Sequence, residues 1–209
     1  DGVVYLVAQR ALVEAITVSG NEYFSDGQIL SHIRAKPGEP LQSKAFAEDV
    51  EWLNKNAYRT VTARFEPGDA PNTTKANLQV QDVKTWRVYV SRSNNGTPEL
   101  GEQQLAVGLT HSNLWRREHE FAYQNLSSRV NEKLVAHSLR YGFPIGRSRV
   151  TFDGTYSRSR ADILNNAFET EGVSRQLSGR HEFPIADALG DRWSFTDQSF
   201  TYGFDYKHN

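Results

Sequence analysis

The 209 residues of this chain include no cysteine and no methionine. Without cysteine, the chain has neither a disulfide framework nor a thiolate metal site. It also lacks any run of 18 apolar residues, which excludes a transmembrane helix but not transmembrane strands of about 9–11 alternating residues. The phosphate-binding patterns G-x-x-x-x-G-K-[ST] and G-x-G-x-x-G are absent, as is the nucleophile pattern G-x-S-x-G. The sequence therefore predicts no enzyme.

Charge and histidine content narrow the function further. The formal net charge is -1 and neither half is strongly basic, so nucleic acid is not a predicted partner. The six histidines have no H-E-x-x-H or similarly compact ligand spacing. Surface or interfacial histidines are therefore the better interpretation, and we predict no metal and no cofactor.

The hydrophobic pattern changes near Asp82, and this change predicts two architectures in one chain. Before it, residues 12–18 form an apolar, β-branched run that is typical of a strand. Residues 60–65 and 76–83 supply two more runs of this kind, separated by a loop rich in Pro, Gly, Asp and Asn. With two helices between the first and second strands, the predicted order is β-α-α-β-β in a small α+β domain.

The two predicted helices have recognisable starts. Ser25 and Gln28 have the spacing of a capping box, and Ser43 is the predicted N-cap of the second helix. The second helix carries a single apolar stripe of residues spaced by three or four, formed by Phe46, Val50, Leu53 and Ala57. The residues predicted to form the core of this domain are Ile16, Val18, Ile29, Ile33, Phe46, Val50, Leu53, Val61, Phe65 and Leu78.

From Val83 onward, apolar and polar residues alternate and no helical pattern occurs. Along residues 133–143, for example, His137, Leu139 and Tyr141 fall on one face and Ser138 and Arg140 on the other. The predicted antiparallel strands are 84–92, 102–111, 118–128, 133–143, 149–161, 171–183 and 193–207. This period of two fits either a soluble sandwich or a transmembrane barrel, and periodicity does not choose between them.

Several motifs in the first half resemble those of a POTRA domain, the polypeptide-transport-associated module of outer-membrane transporters. In order they are V-x-G-N-x-x-F-S, I-x-x-x-I, P-G-x-P-L, L-N-K-N-A-Y-R at 53–59 and F-E-P-G at 65–68. The last two are similar to the POTRA domain next to the barrel in two-partner secretion transporters, the haemolysin and filamentous haemagglutinin exporter family. Each motif alone is weak, but their order and spacing together are fairly specific.

The second half continues this resemblance. The segments T-W-R-V-Y-V-S-R-S-N-N-G-T (85–97), L-T-H-S-N-L-W-R-R (109–117), R-Y-G-F-P-I-G (140–146) and Y-S-R-S-R-A-D (156–162) resemble the first barrel strands and turns of the same exporters. The resemblance implies that residues 12–83 are a POTRA domain and 84–209 an incomplete N-terminal part of an outer-membrane barrel. It implies that residues 1–11 are a linker or the last strand of a preceding POTRA domain. Because the chain opens on Asp1 in an apolar run with no signal peptide ahead of it, we interpret it as an internal fragment.

The resemblance also implies a function. A protein of this family would lie in the bacterial outer membrane, in contact with its lipid, with the POTRA domain in the periplasm. There it would capture a secreted partner in extended form and export it through the barrel. An assembly factor of the same superfamily, which inserts barrels, is one alternative. A soluble β-rich binding protein or adhesin is another.

Two sets of residues are candidates for these roles. An extended partner would add to a free sheet edge at Thr60, Val61, Thr62, Ala63, Arg64 and Phe65, beside a groove lined by Ile29 and Ile33. A cluster of strand arginines either lines the pore or is ordinary solvated surface: Arg140, Arg158, Arg160 and Arg180. Trp86, Trp115, Trp193 and the tyrosines either form interfacial girdles or pack a sandwich core.

Overall fold

A computed structural model describes residues 11–128, 133–163, 168–184 and 199–209. The chain divides into two compact units between Lys84 and Thr85. The expectation of a preceding strand or linker at residues 1–11 falls almost wholly outside the described residues. No helix in the described part is long and apolar enough to cross a membrane.

The first unit has the predicted β-α-α-β-β order. Its elements are β1 (Leu12–Ser19), α1 (Asp26–Leu30), α2 (Ser43–Asn54), β2 (Arg59–Pro67) and β3 (Thr73–Asp82). β3 lies at the centre of the sheet, parallel to β1 and antiparallel to β2. Consequently β2 is an edge strand, as the resemblance implied.

The helix starts differ in how they are capped. The capping box is confirmed, because the Gln28 amide donates to Ser25 Oγ while the Gln28 side chain accepts from the Ser25 amide. The prediction for Ser43 is wrong by one residue. Ser43 is the first residue of α2, and its N-cap is Gln42, which makes no side-chain capping bond.

One core holds this unit together. Among the predicted core residues, Ile29, Phe46, Leu53, Val61 and Leu78 are buried, while Ile16, Val18, Ile33 and Val50 are partly buried against them. Two predictions are wrong. Phe65 is 48% exposed because it lies on the edge strand, and Ala57 is exposed because α2 ends before it.

The second unit is one antiparallel sheet in which each strand pairs with its neighbours in chain order. The described strands are β4 (Trp86–Ser93), β5 (Gln104–Leu114), β6 (His119–Ser128), β7 (Leu134–Ile145), β8 (Ser148–Ile163), β9 (Phe168–Pro184) and β10 (Ser199–His208). Each coincides with a predicted strand, with ends that differ by a few residues. Residues 193–198 of the last predicted strand, including Trp193, lie outside the described residues.

Candidate functional site

The motif at residues 53–59 forms the turn that connects α2 to β2. Leu53 is fully buried in the core. The buried Arg59 donates from Nε to the Leu53 carbonyl at 2.9 Å, and its guanidinium lies 4.8 Å from the centre of the Phe24 ring. The Asn56 side-chain oxygen accepts a hydrogen bond from the Tyr58 amide at 3.0 Å. This motif therefore positions the start of the edge strand.

Asn54, the last residue of α2, bonds directly to the edge strand. Its Oδ1 accepts from the Val61 amide at 2.6 Å, and its Nδ2 donates to the Val61 carbonyl at 3.0 Å. These are the two backbone groups of Val61 that point away from β3, because adjacent residues of an antiparallel strand alternate between the two sides. The edge is thus already occupied at Val61.

The open part of the edge begins two residues later. By the same alternation, the backbone groups of Ala63 and Phe65 point outward, since the β2–β3 register is regular. Within the described residues, no group bonds to them on that side. The strand ends at Pro67, which has no N–H to donate. Ala63 and Phe65 therefore offer a short, intact template for an added strand.

A pair of aromatic rings, Phe65 and Phe46, lies beside this open edge. Phe65 is on the helix-facing side of β2, and its ring meets the ring of Phe46 from α2 edge-on, with centroids 5.2 Å apart. Phe46 is buried, whereas about half of Phe65 is exposed. The exposed part of the Phe65 ring is an apolar surface that a docked segment would cover.

The structure only partly assembles the predicted docking residues. Thr60, Thr62 and Arg64 have exposed side chains on the face of β2 opposite to the helices. Ile29 is 0% exposed, so the prediction that it lines a groove is wrong: its side chain is needed in the core. Ile33 is partly buried against the same core. The helix that packs on β2 is α2. Asn54 was missed because a hydrogen bond to a strand edge leaves no periodic signal, and Phe46 was predicted only as a core residue because its ring contact with Phe65 depends on packing between elements.

The loop between β2 and β3 is fixed by Glu14 of β1. Its Oε2 accepts from the Thr73 hydroxyl at 2.6 Å and from the amides of Asp69 and Ala70. The bond from Thr73 is the largest of the effects that lower the pKa of Glu14 to about 2. A side chain at Gly68 would collide with this carboxylate and with Thr73, which explains the glycine of the F-E-P-G motif.

The sheet of the second unit has two chemically different faces. One row of paired residues runs Tyr89, Gly108, Gln124, Ser138, Thr155, Gln176 and Lys207. On this polar face the Tyr89 ring lies over Gly108, where any Cβ would collide with it, and the Tyr89 hydroxyl donates to Gln124 at 2.7 Å. Tyr89 thereby joins β4 to β6 across β5.

The opposite face is apolar and aromatic. The next row on that side runs Val88, Leu109, Tyr123, Leu139, Gly154, Leu177 and Tyr206. Trp86 and Trp115 are 46% and 67% exposed, so neither is buried in a core, and Trp115 stacks edge-on with His119 and Tyr141. This arrangement favours an interfacial girdle over a sandwich core.

The apolar band runs obliquely across the sheet. Val90 on β4 and Val107 on β5 belong to a row that reaches Arg175 on β9 and His208 on β10. On β10 the apolar residues lie nearer the start of the strand, from Phe200 onward. A band of this kind fits strands that are tilted by about 35–45° to the membrane normal, as in a barrel wall.

The four predicted pore arginines separate onto the two faces. Arg140 and Arg180 lie on the polar face, where they pair with Asp153 and Asp205 at 2.6 and 2.7 Å. Arg158 and Arg160 lie on the apolar face, at the far end of β8, and both pair with Glu171 of β9. Arg158 and Arg160 are offset from Tyr156 and Phe152 by an even number of positions, so they share the face of the apolar row. Their register favours ordinary surface over pore lining, whereas pore lining by Arg140 and Arg180 stays a prediction.

Comparison with known families agrees with both units. Residues 72–186 match the family model described as haemolysin secretion/activation protein ShlB/FhaC/HecB, which covers more than half of the chain. The chain belongs to this family. Residues 11–84 match the POTRA model described as surface antigen variable number repeat. Members of the family are outer-membrane transporters rather than enzymes, with POTRA domains in the periplasm, and this excludes the soluble-sandwich alternative.

Individual relatives point the same way. The outer membrane transporter CdiB of Dickeya dadantii (strain 3937) is 27% identical over 170 residues, which is 80% of this chain and 30% of that protein. The fold resembles CdiB from Escherichia coli (TM-score 0.70, 14% identity) and CdiB from Acinetobacter baumannii (TM-score 0.63, 14% identity). These matches cover 95% of this chain and 37% and 38% of the solved chains. This chain therefore spans about a third of the length of the proteins it resembles.

The fold is also similar to BamA from Haemophilus ducreyi lacking POTRA domains 1–3, with a TM-score of 0.58, 15% identity, 96% of this chain and 36% of that one covered. At these identities the structural likenesses concern the fold alone. They establish a POTRA domain followed by part of a barrel wall.

Proposed function

We propose that the full-length protein containing this chain exports an unfolded secreted protein across the outer membrane, and that its POTRA domain captures the substrate by adding it to β2. The observation that carries the capture step is the open edge at Ala63 and Phe65. Main-chain hydrogen bonds there would supply affinity for any extended segment, and the exposed Phe65 ring would favour apolar residues in it. No catalysis is required.

The two faces of the second unit support the export step. In a closed barrel the polar face would line the passage and the apolar face would contact lipid. The pairs of Arg140 with Asp153 and Arg180 with Asp205 would then place compensated charges along the passage. Such a surface offers an extended polypeptide hydrogen-bonding groups without a large apolar patch that would retain it.

The first test uses Ala63→Pro in the full-length protein. Proline at this position removes an outward amide, which a docked strand needs, while the hydrogen bonds between β2 and β3 stay intact because they belong to the neighbouring residues. We expect secretion of the co-expressed partner, and its cross-linking to β2, to fall at least about fivefold. The amount of protein folded into the outer membrane should not change.

Ala63→Ser is the matched control, because it changes the side chain and keeps the amide. It should export like the unmodified protein. Normal export by Ala63→Pro would reject β2 as the docking edge. If instead Ala63→Pro lowered the levels of unrelated outer-membrane proteins, the result would favour the barrel-assembly alternative.

A further inference from the structure

The side chain of Asn54 makes the same two hydrogen bonds with Val61 that an added strand would make. An incoming strand donates one N–H to an outward carbonyl and accepts one outward N–H at each such residue. The carboxamide of Asn54 supplies both groups at once, at 3.0 and 2.6 Å. It therefore imitates the N–H and C=O groups of one residue of a neighbouring antiparallel strand.

We propose that Asn54 determines where on β2 an extended substrate docks: it occupies the Val61 position and confines the substrate to the segment at Ala63 and Phe65. This inference rests on the proposed docking function and adds its register. It also identifies the substrate class as an extended segment with an apolar or aromatic side chain near Phe65, because that ring is exposed beside the only open stretch of β2 in the described structure.

The number of hydrogen bonds broken and formed explains why Asn54 keeps a substrate away from Val61. A substrate that pairs with Val61 must first displace Asn54, so it replaces two existing hydrogen bonds and gains none. A substrate that pairs with Ala63 and Phe65 replaces only water. Asn54 is also held in place, because it ends α2 directly after the fully buried Leu53. Its amide is therefore preorganised to compete.

The segment that remains open is short, and this sets the character of the interaction. Between the occupied Val61 and Pro67, two residues present outward donors and acceptors. A contact of this size binds weakly and releases readily, which suits a substrate that must move onward into a pore. Blocking part of the edge also reduces its tendency to pair with unrelated strands.

The test compares Asn54→Ala with the unmodified chain. Both are prepared as the full chain in detergent, and the probe is a fluorescein-labelled ten-residue peptide in which Phe alternates with Thr. We expect Asn54→Ala to bind this peptide about tenfold more tightly, because two further backbone groups become available for pairing. Exchange of the Val61 amide with solvent should become about tenfold faster in the variant without peptide and slow down again when the peptide is added.

Asn54→Asp and Asn56→Ala are the controls. Aspartate keeps the acceptor but loses the donor to the Val61 carbonyl, so we expect an intermediate gain in peptide affinity. Asn56→Ala removes a different side-chain bond of the same turn, the one from the Tyr58 amide, without freeing an edge group, and it should leave affinity for the peptide unchanged. This control separates release of the edge from general loosening of the turn.

The outcomes distinguish the inference from the proposed function. Binding by the unmodified chain that is not strengthened in Asn54→Ala, or a Val61 amide that stays protected in the variant, overturns the role of Asn54 and leaves docking on β2 intact. Peptide binding that is unaffected by Ala63→Pro overturns docking on β2 itself. Absence of binding to every variant rejects both.

Discussion

The two units of this chain place their apolar side chains in opposite ways. In the described structure every buried apolar side chain lies in the first unit, between Val13 and Val80. The buried residues of the second unit are polar ones or glycines, such as Ser112, Asn113 and Ser178, and most of its large apolar side chains are exposed. The first unit is built like a water-soluble domain, whereas the second presents an apolar face that water does not solvate well.

The difference shows how each unit obtains its stability. In the first, the helices remove apolar surface from water, at about 25 cal/mol for each Å² buried. In the second, the stability within the sheet comes from the continuous hydrogen-bond ladder and from cross-strand pairs such as Tyr89 with Gln124. We infer that lipid, rather than a second layer of protein, covers the apolar face.

The largest expected effect is in the first unit. Leu53→Ala should lower its free energy of unfolding by about 2–5 kcal/mol, because Leu53 is fully buried and its truncation leaves a cavity. Both helices of the described structure lie in this unit, so loss of helical circular dichroism in urea reports its unfolding. Glu51→Ala, on the exposed side of α2, should change stability by less than about 0.5 kcal/mol. Equal effects of the two variants would show that the apolar stripe is assigned wrongly.

The next largest effect should be in the second unit, at an apolar side chain that is exposed rather than buried. Leu139 is 45% exposed and lies on the apolar face. An arginine there would face lipid in the full-length protein, so we expect Leu139→Arg to destabilise the barrel by about 2–4 kcal/mol. Reversible unfolding of the full-length protein in lipid vesicles measures this cost.

Ser138 provides the matched control, because it is adjacent in sequence and on the polar face. Ser138→Arg should be tolerated within about 1 kcal/mol, since polar and charged residues already occupy this face. A cost for Ser138→Arg as large as for Leu139→Arg would contradict the assignment of the faces, and with it the contrast between the two units.

The sequence predicted well those elements that are marked by periodicity or by a local motif. The capping box of Ser25, the apolar stripe of α2 and the seven alternating runs all depend on nearest neighbours along one element. The errors arose where the answer depended on pairing between elements. Arg158 and Arg160 were grouped with Arg140 because they share a charge, whereas strand register separates them by face.

The docking edge shows the same limit at the level of single residues. That β2 lies at an edge was implied by family resemblance and is confirmed. The sequence assigned Ile29 both to the core and to a groove beside the edge; its complete burial, and the contact of Asn54 with Val61, depend on which helix packs over which strand. A lone asparagine at the end of a helix has many possible roles, and only the distances to both backbone groups of Val61 select one.

The smallest expected effect concerns pH and the first unit alone. Hydrogen bonds, first of all from Thr73, hold the pKa of Glu14 at about 2 in the folded protein, below its ordinary value of 4.5. A carboxyl whose pKa is lowered by folding stabilises the fold above its unfolded pKa, and this contribution is lost as pH falls toward the folded pKa. The thermal midpoint of the first unit should therefore fall between about pH 4.5 and pH 2 in part because of Glu14.

Glu14→Gln tests this contribution without changing the shape of the side chain. The variant should melt at a lower temperature than the unmodified chain at pH 7, and the two midpoints should converge as the pH approaches 2. Glu51→Gln, on the exposed surface of α2, should follow the unmodified chain throughout. Because Glu14 fixes the loop that follows the open edge at Ala63 and Phe65, faster amide exchange at Asp69 and Ala70 should accompany the change. Equal melting temperatures of Glu14→Gln and the unmodified chain at pH 7 would show that the Glu14 carboxylate does not stabilise the first unit.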